Sequence, residues 1–332
     1  MAVAIGRETR SGCGYLRDSL GAGGAGRLGL GRLFGLAWYV LSLMSSVLQF
    51  AKYEGLGNDF VLVDGRSQDL DLASRHAVAL CDRHRGIGAD GVLLVEFNDG
   101  LAAMRVINAD GSRPEMCGNG LRCVVAYLVH SGFVAAPSGD GELNAVEVTV
   151  ATDSGPHRCR FWREGADEMV EVGMRAATLE PASIPIASDN SLPLLDVPFE
   201  IDGSRINLSC VSMGNPHAVT FDDIGAARTA LGPRLGTHPR FGHGANIGFA
   251  RMVAPQFIEL AVWERGAGFT EACGTGACAA AVAAIETGRA KRNEPIQVKL
   301  PGGPLRILVT DRDKPILMTG PAKAVFKGEV AF

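Results

Sequence analysis

The chain has 332 residues, of which 47% are hydrophobic and 20% charged, with a formal net charge of −4. This length allows two domains with hydrophobic cores, and the weakly acidic balance with only 6% aromatic residues argues against a nucleic-acid partner. Eight cysteines without a C-x-x-C pair give little support to a zinc or iron–sulfur site, and a chain of this size needs no disulfide framework. A reducing compartment is the simpler interpretation.

Residues 1–45 form an N-terminal extension that carries no part of the proposed chemistry. The apolar run LFGLAWYVLSLM at 33–44 is too short to cross a bilayer, but it has the length of a signal-peptide core or the end of a transit peptide. No convincing small-residue cleavage site follows it. We therefore favour a disordered extension or a start assigned too far upstream, and a cytoplasmic location, over organellar targeting.

From about residue 46 the chain alternates strands with glycine-rich turns. Strands are predicted at 60–64 (FVLVD), 91–97 (GVLLVEF) and 102–111 (AAMRVINADG). A Cys-Gly-Asn-Gly turn then leads into an apolar helix predicted over 119–131, and Gly132 ends it. Two more strands follow, AVEVTVAT at 145–152 and HRCRFW at 157–162.

The second part of the chain repeats this pattern. Cys273 follows Cys117 by 156 residues (273 − 117 = 156), and neighbouring Glu and Gly residues match at the same offset. GNPHAVTFD at 214–222 resembles GNDFVLVD at 57–64 at an offset of 157 (215 − 58 = 157). Two ordered matches at nearly one offset indicate two related halves, with a second helix predicted over 275–287 and ended by Gly288.

These patterns predict an α+β fold of two pseudo-symmetric halves, each a mainly antiparallel curled sheet around a central helix. Both helices are apolar nearly all round, which indicates that they are buried. We expect an N-terminal half at 46–165 that carries Cys117 and a C-terminal half at 166–320 that carries Cys273. The final strand, at about 321–332, could return to the first half.

Cys117 and Cys273 each stand where a predicted helix begins. Free backbone amides point outward there and the helix dipole favours negative charge, so we expect a lowered thiol pKa and a thiolate near neutrality. Asn119 and Thr275 could cap the helices, and the local amides could bind a carboxylate. Cys81, Cys123, Cys159, Cys210 and Cys278 are interpreted as buried structural cysteines.

Two halves packed about an approximate two-fold axis would bring both thiols to one cleft. A carboxylate held between the two helix starts would leave the adjacent carbon with one sulfur on each face. One thiolate could then remove a proton while the opposite thiol supplies another, which inverts the stereocentre without a cofactor. Two close thiolates repel, so the pair is expected to share a proton and to titrate as a coupled unit.

An ordered set of motifs over about residues 46–332 closely resembles the diaminopimelate epimerase family. The motifs are GLGNDF (55–60), GIGADG (86–91), NADGSRPEMCGNGLRC (108–123), MGNPH (213–217), ANIGF (245–249), WERGAGFTEACGTGACA (263–279) and MTGPA (318–322). The resemblance implies epimerisation of LL-2,6-diaminopimelate to the meso isomer, a precursor of lysine and peptidoglycan. It also implies a homodimer and a cleft that closes over substrate. From the two-thiol chemistry we expect no metal or other cofactor.

The resemblance assigns roles to individual residues. It implies that Cys117 and Cys273 are the two bases, that Glu264 holds the reacting amino group, and that His217 sits close to the site. Substrate-binding positions are Asn58, Asn108, Gly118, Asn119, Asn215, Asn246, Glu264, Arg265, Gly274 and Thr275. One departure is Gly91, where many members carry Gln, so that one side-chain contact could be missing.

Two rival functions stay open from the sequence. A proline racemase-like enzyme would use the same cysteine pair, but a proline pocket has no use for Arg265 with several Asn residues. A redox or metal-binding protein, in which Cys117 and Cys273 pair or hold zinc, is the alternative of another class.

Overall fold

The structure is a computed structural model that describes residues 47–184, 186, 193–201 and 203–332, together with the backbone of a two-residue strand, β1 (Val3–Ala4). The prediction made for residues 1–45 otherwise lies outside the described residues. Part of the segment 177–198, which is rich in proline, also lies outside the described residues. Within the described ranges, no helix is long and apolar enough to span a membrane.

Seven strands of the first half pair in chain order. They are β2 (Val47–Gly55), β3 (Asn58–Asp64), β4 (Gly91–Asn98), β5 (Leu101–Asn108), β6 (Val146–Thr152), β7 (Gly155–Glu164) and β8 (Asp167–Met174). The β3–β4 and β5–β6 pairs are parallel and the other neighbouring pairs are antiparallel.

The second half repeats that order of pairing. Its strands are β9 (Val197–Ile201), β10 (Ser204–Ser212), β11 (Pro216–Thr220), β12 (Asn246–Ala254), β13 (Phe257–Glu264), β14 (Gly268–Phe269), β15 (Ile296–Leu300), β16 (Gly303–Leu308) and β17 (Ile316–Pro321). Here β11–β12 and β13–β15 are parallel, whereas β10–β11, β12–β13, β15–β16 and β16–β17 are antiparallel. The short strand β14 pairs with the end of β13.

The two halves are joined through their sheets. Strand β8 pairs with β17, and the last strand, β18 (Lys323–Ala331), pairs with β2 and with β1. Strand β9, which follows the first half, pairs with β10, the first long strand of the second half. Because β8 pairs with strands of both halves, the domain division between residues 165 and 166 stays a prediction.

Each half wraps its strands around one helix. Five α-helices are described: α1 (Leu70–Arg75), α2 (Ala77–Cys81), α3 (Gly118–His130), α4 (Arg228–Gly236) and α5 (Gly274–Glu286). Helix α3 packs against β2 to β8 and β18, and α5 packs against β10 to β13 and β15 to β17. The two predicted helices are thus confirmed, each displaced by one residue, while α1, α2 and α4 were not predicted.

The central helices are buried because their sequences are apolar on all sides. Leu121, Val124 and Leu128 of α3 are fully buried, and in α5 the buried positions are mostly alanines. The five cysteines interpreted as structural are also buried. Beyond each helix a glycine adopts the left-handed conformation, Gly132 at φ +73° and Gly288 at φ +75°, which is the expected C-terminal stop. The predicted α+β fold is confirmed, with two similar halves that each wrap strands around a buried helix, and the pairing of β8 with β17 joins the strands of both halves into one continuous sheet.

Candidate active site

An open cleft of about 2020 Å³ receives residues from both halves. It is roughly twice the upper size of common small-molecule pockets, which leaves room for closure over a compact substrate. Predicted site residues on its wall are Asn58, Asn108, Cys117, Gly118, Asn119, Asn215, Glu264, Arg265, Cys273, Gly274 and Thr275.

The two cysteines occupy the same position on the two central helices. Cys117 is the N-cap of α3, with extended φ and ψ of −134° and 114°, and Cys273 is the N-cap of α5, with −124° and 100°. The Cys117 Sγ accepts a hydrogen bond from the Gly120 amide at 3.4 Å. The Cys273 Sγ instead lies 3.7 Å from the Thr275 hydroxyl. The expectation that Asn119 and Thr275 would cap these helices is wrong, because the cysteines themselves hold the N-cap positions.

Close packing explains the glycine that follows each cysteine. A Cβ on Gly118 would lie 2.7 Å from Met318 Cε, and a Cβ on Gly274 would lie 2.9 Å from Met318 Sδ. A side chain at either position would therefore displace the helix from Met318. The first turns of α3 and α5 meet at this one methionine of β17, which brings the two sets of free amides together.

A hydrogen-bonded chain links the two cysteine motifs. The Asn119 side-chain amide donates to Asn58 Oδ1 at 3.1 Å and to the carbonyl of Ala272, the residue before Cys273, at 3.3 Å. Asn58 in turn donates to Asp90 Oδ2 at 2.7 Å. Sequence reasoning missed Asp90, although it lies within the GIGADG motif. Its carboxylate fixes the orientation of the Asn58 amide.

Glu264 is a carboxylate of the cleft wall that acts on both cysteine thiols. It ends β13, and its Oε1 accepts a hydrogen bond of 2.5 Å from the Thr270 hydroxyl. The Glu264 carboxylate raises the pKa of the Cys273 thiol by charge repulsion and by accepting a hydrogen bond from that thiol, and its repulsion is the smallest of the effects named on Cys117. Thr270, which orients the carboxylate, was not identified from the sequence.

Arg265 faces the cleft from the residue after Glu264. Its guanidinium donates to the His243 carbonyl at 2.7 Å, and its backbone amide donates to Asn246 Oδ1 at 2.9 Å. Asn246 is buried and is not part of the cleft wall. It holds the backbone of Arg265 from behind.

Like Asn246, His217 does not line the cleft and lies behind the residues that do. Its Nε2 is 3.1 Å from Asn215 Oδ1, so it supports a residue that does face the cleft. Burial, with a smaller repulsion from Arg265, lowers the pKa of His217 to about 3. The imidazole is therefore neutral near pH 7. Thus 11 of the predicted positions share the cleft wall, whereas His217 and Asn246 do not reach it.

The expected lowering of the thiol pKa is wrong for this open cleft. Burial raises the pKa of Cys117, although the Gly120 amide and the Arg122 charge act in the opposite direction. Burial and then Glu264 raise the pKa of Cys273 well above its ordinary value. Removal of the sulfur from water outweighs the helix amides, because a desolvated thiolate loses more than a few aligned dipoles return.

In the part of the chain that the structure describes, no group of three or more His, Cys, Asp or Glu side chains could hold a metal ion. All seven described cysteines are free thiols.

Comparisons with known proteins match most of the chain. Residues 50–179 and 209–325 fit the family model described as diaminopimelate epimerase. A diaminopimelate epimerase of Microcystis aeruginosa is 43% identical over 287 residues, which covers 85% of this chain and 98% of the relative. One of Moorella thermoacetica is also 43% identical, over 288 residues, with 85% and 99% covered.

Solved structures share the fold at low identity. A probable proline racemase from Agrobacterium radiobacter superposes with a TM-score of 0.62 at 17% identity, over 86% of this chain and 93% of that one. A PhzF-family phenazine biosynthesis protein of Bacillus anthracis gives 0.61 at 14%, over 86% and 99%. These two likenesses bear on the fold alone, whereas the sequence relatives and the family model decide the family. The chain belongs to the diaminopimelate epimerase family.

Proposed function

We propose that the chain inverts one α-carbon of LL-2,6-diaminopimelate by proton transfer between Cys117 and Cys273, giving the meso isomer. Epimerisation of diaminopimelate, an isomerase reaction of lysine biosynthesis, follows from membership of the family. The residue-level mechanism is supported by one observation above all. The N-cap cysteines of α3 and α5 both face one cleft, and the first turns of their helices meet at Met318.

In this mechanism each sulfur serves one face of the reacting carbon. The thiolate of one cysteine removes the α-proton, and the thiol of the other donates a proton to the opposite face. The pair begins and ends each turnover with one proton between them, so no net acid or base is consumed. Burial makes the thiolate a stronger base than it is in water, which suits a weakly acidic C–H bond.

The helix starts supply the electrostatic stabilisation. The backbone amides of Gly118, Asn119, Gly274 and Thr275 have no carbonyl partner four residues back within their helices. A substrate carboxylate placed between the two first turns would accept hydrogen bonds from both. As the α-proton leaves, negative charge moves onto that carboxylate, and the amides and helix dipoles stabilise it without having to reorient.

The polar residues of the cleft fit a substrate with two amino-acid head groups. We assign the reacting amino group to Glu264 and the distal carboxylate to Arg265, which can bind it in bidentate fashion. Asn58, Asn108 and Asn215 can donate to or accept from both head groups without adding charge. His217 and Asn246 act from behind, through Asn215 and the backbone of Arg265 respectively.

We also propose that the chain forms a homodimer and acts in the cytoplasm. The paired strands β2 and β18 expose Val47 at one end of their pairing and Val325 and part of Phe326 towards the other, and both valines are more than half exposed. Exposed apolar side chains on neighbouring strands are typical of surfaces that are covered by another chain. Sedimentation of the purified chain tests this part, since a monomer at micromolar concentration would contradict it.

The decisive experiment is incubation of the purified chain with LL-diaminopimelate, without added cofactor, in deuterium oxide. We expect the meso isomer to form and its inverted α-carbon to carry deuterium, since the donating thiol exchanges with solvent. L-proline, incubated in parallel, should keep its configuration. Inversion of proline but not of diaminopimelate would favour the proline racemase-like alternative. Retention of the original α-hydrogen in the meso product would contradict the two-thiol mechanism.

A further inference from the structure

Arg122 is a buried cation without a carboxylate partner in the described part of the chain. It lies about one turn inside α3 and is fully buried. Its Nε donates to the Pro321 carbonyl at 3.2 Å and its Nη1 lies 3.9 Å from Met318 Sδ. Its Nη2 has no hydrogen-bond partner. An unpaired buried charge is costly to a fold, so a compensating anion is expected nearby in the working enzyme.

Four titratable groups act on the Arg122 guanidinium, and the Cys117 thiol is one of them. In decreasing order of their effect on the guanidinium they are Cys123, Cys117, Glu54 and Cys278. Glu54 is a half-buried carboxylate outside ion-pair distance, and its Oε2 accepts a hydrogen bond from the Gly57 amide. Cys123 and Cys278 are fully buried in the helices, where burial raises their pKa. Cys117 alone among these thiols lines the cleft.

The internal repeat gives Arg122 no counterpart in the second half. The residue 156 positions later is Cys278 (122 + 156 = 278), so α5 carries no cation at this level. Conversely, the counterpart of Glu264 in the first half is Asn108 (264 − 156 = 108), which carries no charge. The charge of Arg122 therefore acts to lower the pKa of Cys117, whereas Glu264 raises the pKa of Cys273 and, as the smallest effect named for it, that of Cys117.

We propose that Arg122 is the buried counter-charge that keeps the single negative charge of the thiol pair on Cys117 and leaves the shared proton on Cys273. The proposal rests on the two-thiol function above, but it concerns the free enzyme. Arg122 does not touch the substrate. It is a positioning residue that acts through Cys117, and Glu264 acts in the same direction by repelling charge from Cys273.

A purely structural role is the alternative. The hydrogen bond to Pro321 ties α3 to the end of β17, and its loss would destabilise that contact. Such a role would change the melting temperature but not the pH at which Cys117 reacts. The pH dependence of Cys117 reactivity therefore separates the two roles.

The experiment measures alkylation of Cys117 by iodoacetamide from about pH 6 to about pH 11, read from the Cys117 peptide by mass spectrometry. Arg122→Met removes the charge and keeps an unbranched side chain, and citrulline at position 122 removes it with nearly unchanged shape and donors. Arg122→Lys retains the charge. Arg292→Met serves as the matched control, since it removes an arginine that pairs with Glu286 at the far end of α5.

We expect both neutral replacements to raise the midpoint of Cys117 alkylation by about one pH unit, with about tenfold slower reaction at pH 7. Arg122→Lys should stay closer to the wild type, and Arg292→Met should change the melting temperature without moving the midpoint. An unchanged Cys117 midpoint in the folded citrulline protein would overturn the proposal, whether or not Arg122→Met folds. Because no substrate is used, a shifted midpoint would support the role of Arg122 even if diaminopimelate proved not to be epimerised.

Discussion

The two halves place the same backbone around each cysteine but different side chains beside it. Each half runs through the same order of parallel and antiparallel strand pairs to a helix that begins at a cysteine. At equivalent positions, however, the side chains differ: Asn108 of the first half corresponds to Glu264 of the second, and Arg122 corresponds to Cys278. The backbone is symmetric while the charge is not.

That difference matters because the reaction needs one thiolate and one thiol at any moment. Two identical environments would leave the proton shared evenly, and the desolvation that raises the pKa of both thiols would favour two neutral groups. A cation on one side and a carboxylate on the other break this balance. The symmetric scaffold positions the sulfurs, and the asymmetric charges set their protonation.

The largest effect should come from removing the sulfur of each cysteine in turn, which tests whether the equivalent cysteines of both halves take part in the reaction. Cys117→Ala and Cys273→Ala should each reduce epimerisation by about 1000-fold or more, because either change removes the acid or the base on one face. Circular dichroism should show that both proteins fold, since each cysteine is replaced by a smaller apolar residue. Cys123→Ala, which alters a buried thiol in the same helix as Cys117, is the control.

If Cys123→Ala reduced turnover as severely as Cys117→Ala, the loss would reflect packing of α3 rather than chemistry. Substantial epimerisation by either Cys117→Ala or Cys273→Ala would refute the assignment of the two bases.

The next largest effect should come from changing the charge at position 264 of the second half, whose equivalent in the first half is position 108. Glu264→Gln keeps the side-chain shape and the acceptor for Thr270 but removes the carboxylate beside Cys273. We expect kcat/KM to fall about 100-fold, because the amino group loses its anionic partner. In the free enzyme the pKa of Cys273 should fall, since Glu264 raises it, and alkylation of the Cys273 peptide should show this.

The matched variant is Asn108→Asp, which places a carboxylate at the equivalent position of the first half. It should slow alkylation of Cys117 while leaving that of Cys273 nearly unchanged. Equal responses of both thiols to either substitution would argue against the charge asymmetry.

Much of this site could be predicted from the sequence because its signals are local. Cys-Gly-Asn-Gly and Cys-Gly-Thr-Gly precede apolar segments that end in glycine, and this is sufficient to place both helices within one residue. The 156-residue repeat then implies a shared cleft without any knowledge of strand order. These predictions use only residues that are close together in the sequence and one comparison between the two halves of the chain.

The features that were missed depend on burial and on non-local contacts. The short helices α1 and α2 have too few residues for a clear periodicity. The direction of the thiol pKa shifts was wrong because desolvation outweighs the helix amides, and a sequence does not reveal how deeply a sulfur is buried. His217 lies close to the cleft, as expected, but the sequence did not show that it would contact Asn215 rather than line the wall itself, because β11 is buried along its length.

A third difference between the halves concerns the second residue after each Gly-Asn pair, which is Phe60 in one half and His217 in the other. These residues occupy equivalent register positions, since Phe60 pairs with Gly91 and His217 with Asn246. The pKa of His217 is lowered to about 3 in the folded state from an unfolded value near 6.5. The unfolded chain therefore gains a proton first as the pH falls, and stability present above pH 6.5 is lost on acidification.

His217→Phe should remove this loss and make the second half resemble the first. Between about pH 6 and about pH 4 the unfolding free energy of the wild type should fall by about 1.4 kcal/mol per pH unit more than that of the variant. Urea titrations at several pH values measure the two slopes. Parallel slopes would mean that His217 is hydrated in the folded protein, contrary to its burial.

The smallest effect is expected at Gly91, the counterpart of Asn246 and the position where many family members carry Gln. A Cβ at Gly91 would lie 2.8 Å from the Ile107 carbonyl oxygen, so any side chain requires β4 and β5 to move apart slightly. Gly91→Gln should therefore cost about 1 kcal/mol or more of stability, as a modest overpacking, and change kcat/KM by less than about tenfold. Chemical denaturation and steady-state kinetics measure the two quantities. A Gly91→Gln protein with much higher kcat/KM would instead show that the missing side chain had left one substrate contact unfilled.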